Sequence, residues 1–341
     1  MKIPTYAAVA LGFCALAAAS AQDWSDNKDE ISSGYTESKA ICRGLRNREP
    51  PAADRPDARI AAALRDCDSE TLYYGIGARA DPVRARQCAF LEMRKEPDTG
   101  VFAGRTMLMT IYANGVGARR DLDLATHLAC GLDGAPAEMD GRVRHLAELK
   151  AKGWTGRDFD YCNDITSGLA MGYCASHQAD VAKPVRDARI ARLTGGWSAN
   201  EKQAFAALQR AHAAFVDAHG SGEVDMSGTA RAAIEIEAEE SARDAFVDLL
   251  QRLAAGRAPV FTRARFAAED GKLNSAYRKA LAEARPDSGT VTRDGIRGAQ
   301  RAWLRYRDAF LAFASVKYPQ VLRDSLAAWL TQQRTKMLAG D

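Results

Sequence analysis

Across residues 299–313, the apolar side chains Ala299, Trp303, Tyr306, Phe310 and Phe313 return at steps of four, three, four and three, which is a single stripe on a helix. The stripe predicts that Trp303 and Tyr306 face a core. Arg301 and Arg305, four apart and followed by Asp308, fall on the opposite side, in water. Gln300 and Arg307 border the stripe, where a guanidinium can lie along the core edge and pair with a carboxylate or a helix C-terminus. A nucleic-acid grip needs aromatics and bases on one exposed face, so this segment argues against a nucleic-acid partner. The rest of the chain is rich in alanine and arginine and has few β-branched runs, which predicts helices throughout.

Two internal repeats organise the pattern. "YGIGARADPVRARQCA" (74–89) and "NGVGARRDLDLATHLA" (114–129) superpose at an offset of 40 residues, so that Gly75, Gly77 and Asp81 recur as Gly115, Gly117 and Asp121. An aromatic helix precedes each copy and an alanine-spaced helix follows it. The glycines allow the positive φ at which a helix ends, and the aspartate can cap the next helix. A phosphate-binding loop is excluded by the lack of a preceding strand and by the repetition itself. At an offset of 91 residues, Gln209, Arg210, Ala211, Phe215 and Asp217 fall on Gln300, Arg301, Ala302, Tyr306 and Asp308, and Arg243 falls on Arg334. "REPPAADRPD" (48–57) reads as a loop, and "AKGWTGRD" (151–158) as the boundary between the two kinds of repeat.

The N-terminus changes the picture. One lysine, an apolar run and Ala19-Ser20-Ala21 form the layout of a secretory signal peptide over 1–21, too short to span a membrane and with Phe13 too bulky before Cys14 for lipoprotein cleavage. The expected location is periplasmic or secreted, in a bacterium. Six cysteines remain, Cys42, Cys67, Cys88, Cys130, Cys162 and Cys174, an even set that reads as disulfides in an oxidising compartment. Cys67 and Cys88 lie almost symmetrically about the Gly75–Gly77 turn, which favours opposing positions on a hairpin; the order among the first four cysteines stays open.

Candidate chemistry is sparse. No CxxC occurs, and His127, His145, His177, His212 and His219 form no ligand set, so no metal and no cofactor is expected and each histidine reads as a surface or helix-flank residue. Glu235 and Glu239 are spaced for a carboxylate pair, but helical glutamates on a charged face are far commoner, and no nucleophile sits beside a base. The chain is therefore expected not to be an enzyme. Its charge is unevenly spread: residues 158–255 carry 15 acids and 9 bases, residues 256–341 carry 8 acids and 16 bases.

Two resemblances follow from these motifs. The segment around 66–150 resembles the Sel-one-like subclass of tetratricopeptide-type repeats, with alanine in place of the usual valine after the second glycine. "EDGKLNSAYRKAL", "GAQRAWLRYRDAF" and "LTQQRTKML" resemble the LprI-type lysozyme inhibitor domain through Leu273, Asn274 and Tyr277, then Gln300, Trp303, Arg307 and Asp308, then Leu330, Thr331, Arg334 and Leu338. Residues from Cys162 to Leu250 read as a more divergent copy, in which His212 stands where Trp303 does and Val216 where Arg307 does. The resemblance implies a Cys162–Cys174 bond, which needs a turn at Gly168 or Gly172 because twelve helical residues rise about 18 Å. The cysteine pair that many members carry after the RD and before the last helix is absent, so the second copy must rely on packing.

The expected organisation is all-α: a signal peptide (1–21), an N-terminal helical cap and loop (22–65), a short helical-hairpin solenoid of Sel-one-like repeats (66–150), a divergent LprI-like module (158–255) and an LprI-like module (256–341), the last two as helical bundles. The resemblances imply an exported, non-catalytic binding protein of the cell envelope, with lysozyme or another cell-wall hydrolase as the candidate partner; the other reading is a scaffold whose oppositely charged modules dock on each other or on an anionic surface. No membrane span is expected, and the sequence specifies no oligomeric state. In "HGSGEVDMSG" (219–228), Glu223 and Asp225 are the candidate partner-binding residues, set against the plainer reading of a solvated interhelical loop.

Overall fold

The computed structural model describes residues 23–95, 100–285 and 289–339, so the signal peptide expected over 1–21 lies outside the described residues. Among the described residues the chain is all helical, with thirteen α-helices and no strand. They are α1 (Thr36–Leu45), α2 (Ala58–Ala63), α3 (Ser69–Tyr74), α4 (Pro82–Glu92), α5 (Gly104–Asn114), α6 (Leu122–Cys130), α7 (Pro136–Ala151), α8 (Gly168–Thr194), α9 (Ala199–Glu223), α10 (Arg231–Ala254), α11 (Arg263–Glu283), α12 (Arg293–Lys317) and α13 (Arg323–Ala339).

Six of the first seven helices, all but α2, close one core around Met107, Leu108, Tyr112, Leu124, Val143 and Leu146. Its two helical hairpins, α3–α4 and α5–α6, are built alike. Gly75 and Gly115 end the first helix of each hairpin at φ 75° and 62°. Asp81 and Asp121 cap the second helix by accepting from the backbone N–H of Arg84 and Leu124. The backbone N–H of Asp81 donates to Leu72 at 2.7 Å, and that of Asp121 to Tyr112 at 3.0 Å, so each turn is closed by the same bond. The hairpins stack at Gly117, whose missing side chain leaves room for the Pro82 carbonyl at the start of α4.

Cys42–Cys130 ties α1 to the end of α6, and Cys67–Cys88 ties the residues before α3 to α4. Cys162–Cys174 joins a 3-10 turn, Tyr161–Asp164, to α8. The chain reverses between these two cysteines before α8 begins, with Ser167 capping the helix at Gly168; Gly172 lies inside the helix and packs against Ala232 of α10.

Helices α8 to α13 form a second unit with a shared core of Phe205, Phe215, Phe246, Trp303, Tyr306 and Phe310. Its centre is the pair α9 and α12, which pack most extensively of all. They run antiparallel: Lys317 at the end of α12 bonds Glu201 at the start of α9 at 3.0 Å, and Gly222 at the end of α9 abuts Gly295 at the start of α12. A Cβ on Gly222 would stand 2.8 Å from the Gly295 carbonyl oxygen, so both glycines are needed for this approach. α8 pairs with α10 on one side and α11 with α13 on the other. At the 91-residue offset α8, α9 and α10 fall on α11, α12 and α13, and the two sets pack on each other through α9 and α12.

The stripe on α12 behaves as its spacing predicts. Ala299, Trp303, Tyr306, Phe310 and Phe313 are buried, whereas Arg301 and Arg305 are exposed. Arg307 lies over the Trp303 ring, 5.3 Å from its centroid, and bonds Asp308.

Candidate functional site

The polar groups of the motif helices converge inside the second unit. Arg334, fully buried on α13, donates through Nε to Gln300 Oε1 at 3.0 Å and through both terminal nitrogens to the Glu223 carboxylate, with Nη1 2.7 Å from Oε2. His219 Nδ1 stands 2.9 Å from the same Oε2, one helical turn back on α9. Burial raises the Glu223 pKa, but hydrogen bonds from His219 and Arg334 and the Arg334 charge outweigh it and hold the carboxylate below its ordinary range. Glu223, expected in a partner-facing loop, is thus the last residue of α9, with its side chain turned inward.

Asp225 stays exposed and is also engaged with the other half. Its carboxylate accepts from the backbone N–H and hydroxyl of Thr290, both at 3.0 Å, and from the backbone and hydroxyl of Ser227. These bonds, the Thr290 backbone first, pull its pKa down to about 2. The first-half counterpart of Arg334 fares differently. Arg243 is bonded to Glu239 and Glu240 of its own helix, because the position equivalent to Glu223 on α12 is Ala314. Glu239, half of the carboxylate pair considered from the sequence, is therefore an ion-pair partner.

Two histidines differ from the surface placement expected of them: His177 and His212 are buried. His212 stacks on Phe246 at 4.2 Å, and burial brings its pKa down to about 4. His177, on α8, stacks on Phe102 at 4.1 Å; its Nδ1 is 2.5 Å from Glu70 of α3, and its Nε2 is 3.8 Å from Asp160, which accepts a 2.8 Å bond from Tyr74. Helix α8 thereby docks onto the first unit.

Two open clefts flank His177. One, of about 450 Å³, is walled by Tyr74, Asp160, Val181, Val185, Arg189 and Asp244. The other, of about 470 Å³, is walled by Asp68, Glu70, Phe102, Tyr173, Ser176 and Asp180. The arginines of the first cleft are neutralised in place, Arg186 by Glu240 and Asp244 and Arg189 by Asp248. What the surface offers is apolar area edged with carboxylates: Leu169, Tyr173 and Val185 on α8 are 66%, 46% and 61% exposed. Among the described residues no group of histidine, cysteine and carboxylate side chains could hold a metal ion, and no helix is long and apolar enough to cross a membrane.

Residues 260–338, from the approach to α11 to the last turn of α13, match the family model described as Lysozyme inhibitor LprI. No curated protein and no solved structure matches the chain. Within the matched span, Leu273, Trp303, Leu330, Thr331 and Arg334 are buried, while Asn274 is exposed and bonds Asp270 at 3.1 Å. Five of the eleven motif positions therefore build the interior of the matched region, four are half-buried, and Asn274 and Asp308 are exposed. The α8 clefts lie outside it, and no sequence motif marked them; the only signal was the apolar pair Leu169 and Tyr173, four apart on a helix otherwise edged by charge.

Proposed function

We propose that this is an exported, non-catalytic binding protein of the bacterial cell envelope that engages lysozyme or another basic cell-wall hydrolase. The observation that carries the reading is the match of residues 260–338 to the lysozyme-inhibitor family model. Three disulfides support an oxidising compartment, in line with the signal-peptide layout of residues 1–21. The hairpins of the first unit, with their Sel-one-like turns, are a second module of binding type.

The face we assign to the hydrolase is that of α8, where Tyr173 and Val185 supply apolar contacts and Asp160, Asp180 and Asp244 supply the opposite charge to a basic partner. Glu223 and Asp225 fasten α9 and its following loop to the second half. The test is cell-wall clearing by lysozyme with and without excess mature protein. Slowed clearing that is restored by Tyr173→Ala with Val185→Asp is the expected result, and undiminished clearing at excess protein overturns inhibition.

The scaffold reading gains one observation. The acidic and basic halves do dock on each other, through Glu201–Lys317 and Glu223–Arg334. That contact is internal to the chain and leaves the α8 face free, so recovery of envelope proteins without any hydrolase in a crosslinking experiment is what would favour a scaffold.

A further inference from the structure

The helices of the second unit bring three loops to the end remote from Cys174. Helices α8 and α10 lie side by side in the same direction, since Gly172 meets Ala232 near their starts and Arg189 bonds Asp248 and Gln251 near their ends. Lys317 bonds Glu201, which sets the end of α12 beside the start of α9. The Phe261 backbone N–H donates to the Ser325 hydroxyl at 3.0 Å, and that hydroxyl donates to the Phe261 carbonyl at 2.8 Å, so α11 and α13 start together. The loops 195–198, 255–262 and 318–322 therefore share one tip.

Val260 and Leu322, on adjoining loops of this tip, are 87% and 66% exposed. Around them stand Arg192, Lys202, Arg252, Arg257, Arg263 and Arg323, all exposed and none matched by a carboxylate among the described residues. Their neighbours Arg189 and Lys317 are matched, by Asp248 and Glu201, which leaves Asp324 as the acid to set against the six. A single exposed apolar side chain needs no explanation, and neither does a single solvated cation. Apolar side chains at a loop apex, ringed by cations without counter-charge, fit an anionic surface with an apolar layer beneath it. A soluble polyanion offers the charge but nothing to bury Val260 and Leu322, and a basic protein is repelled. Among the described residues no helix is long and apolar enough to cross a membrane, so such a contact lies on the surface.

We propose that this tip docks the protein on an anionic phospholipid bilayer, with Val260 and Leu322 entering the headgroup boundary and the surrounding cations facing lipid phosphates. Helix α8 then holds the hairpins and its own carboxylate-edged clefts away from the bilayer, whose charge would repel them. The contact is separate from the α8 face and stands whether or not a hydrolase binds there.

The test floats the whole mature protein on a density gradient with vesicles of phosphatidylglycerol or of phosphatidylcholine. Binding to phosphatidylglycerol that salt weakens, with little binding to phosphatidylcholine, is expected. Arg257→Gln with Arg263→Gln should weaken it about thirtyfold. Val260→Ser with Leu322→Ser, which leaves the charge intact, should weaken it about tenfold. Arg301→Gln with Arg305→Gln, which removes two exposed cations from the flank of α12, should change it less than about threefold. All six positions are exposed, and far-ultraviolet circular dichroism checks that each variant keeps the fold. No flotation with phosphatidylglycerol, unchanged binding in Val260→Ser with Leu322→Ser, or equal losses in the two arginine pairs overturns the proposal. Capture by polyaspartate without flotation identifies a soluble polyanion as the partner and overturns it as well.

Discussion

Arg334 and Glu223 lie 111 residues apart in sequence and close a two-pronged ion pair inside the second unit, with Gln300 and His219 completing the ring of bonds. Removing one partner strands the other as a buried charge, whereas replacing both by apolar residues does not. Glu223→Ala and Arg334→Ala should each lower stability to urea by about 3–5 kcal/mol, and Glu223→Leu with Arg334→Met should recover most of it. A loss in the double variant equal to the sum of the two single losses would show that the pair does not couple the halves.

The matched span is half of an interlocked body. Cut free, residues 256–341 would expose the α12 face that α9 covers and leave Arg334 without its carboxylate. This fragment alone should show helix by circular dichroism but little amide protection and a broad, uncooperative melt, while residues 158–341 together should melt cooperatively. A sharp melt for 256–341 alone would contradict the shared core.

Acid should weaken the protein in two separable steps. His212 has a folded pKa of about 4 against about 6.5 in the unfolded chain, so the unfolded state takes up the proton first and stability is lost as pH falls from about 6.5 to about 4. The shift corresponds to roughly 3 kcal/mol. Glu223, held below its ordinary value, stabilises above the unfolded pKa of about 4.3 and loses that contribution only as pH falls further, through its folded value. Urea midpoints between pH 7 and pH 4.5 should flatten in His212→Phe and keep their slope in Glu223→Gln.

The glycine contact between α9 and α12 admits no side chain. Gly222→Val should push the helices apart and cost about 1–3 kcal/mol, as should Gly295→Val. Gly271, inside α11 with open space where a Cβ would go, is the counter-case: Gly271→Ala should raise stability by about 0.5–1 kcal/mol. Thermal melts of the three variants decide both.

Loss of Cys42–Cys130, which closes an 88-residue span, should destabilise the first unit by about 2–5 kcal/mol. In Cys42→Ala with Cys130→Ala, hydrogen exchange should quicken in α1, α5 and α6 and stay slow in α9 and α12, whose core is separate.

Local rules were readable in the sequence. The helix ends at Gly75 and Gly115, the caps at Asp81 and Asp121, and the inward turn of Trp303 and Tyr306 each depend on neighbours within one or two turns. The Cys162–Cys174 bond was legible through the family resemblance, with the reversal before α8 in place of a bend at either glycine. Glu223 was not legible, because its burial is decided by Arg334, and a glutamate among glycines looks like a loop until that partner is in place. His177 shows the same limit: Glu70, Phe102 and Asp160 reach it from three separate stretches of chain. The 91-residue offset did not show that α9 packs on α12, since spacing along the chain carries no information about which faces meet. The α8 clefts escaped because their walls come from both units, whose approach to one another no local spacing records.

Helix α8 begins with Cys174 in the first core and ends with Ile190 and Leu193 against the second. At 27 residues it is about 40 Å long. One continuous strut anchored in both cores, and pinned near its start by a disulfide, works as a ruler. Under the proposed binding role, a partner that gripped the hairpins and the aromatic bundle together would have to match the spacing that this helix sets.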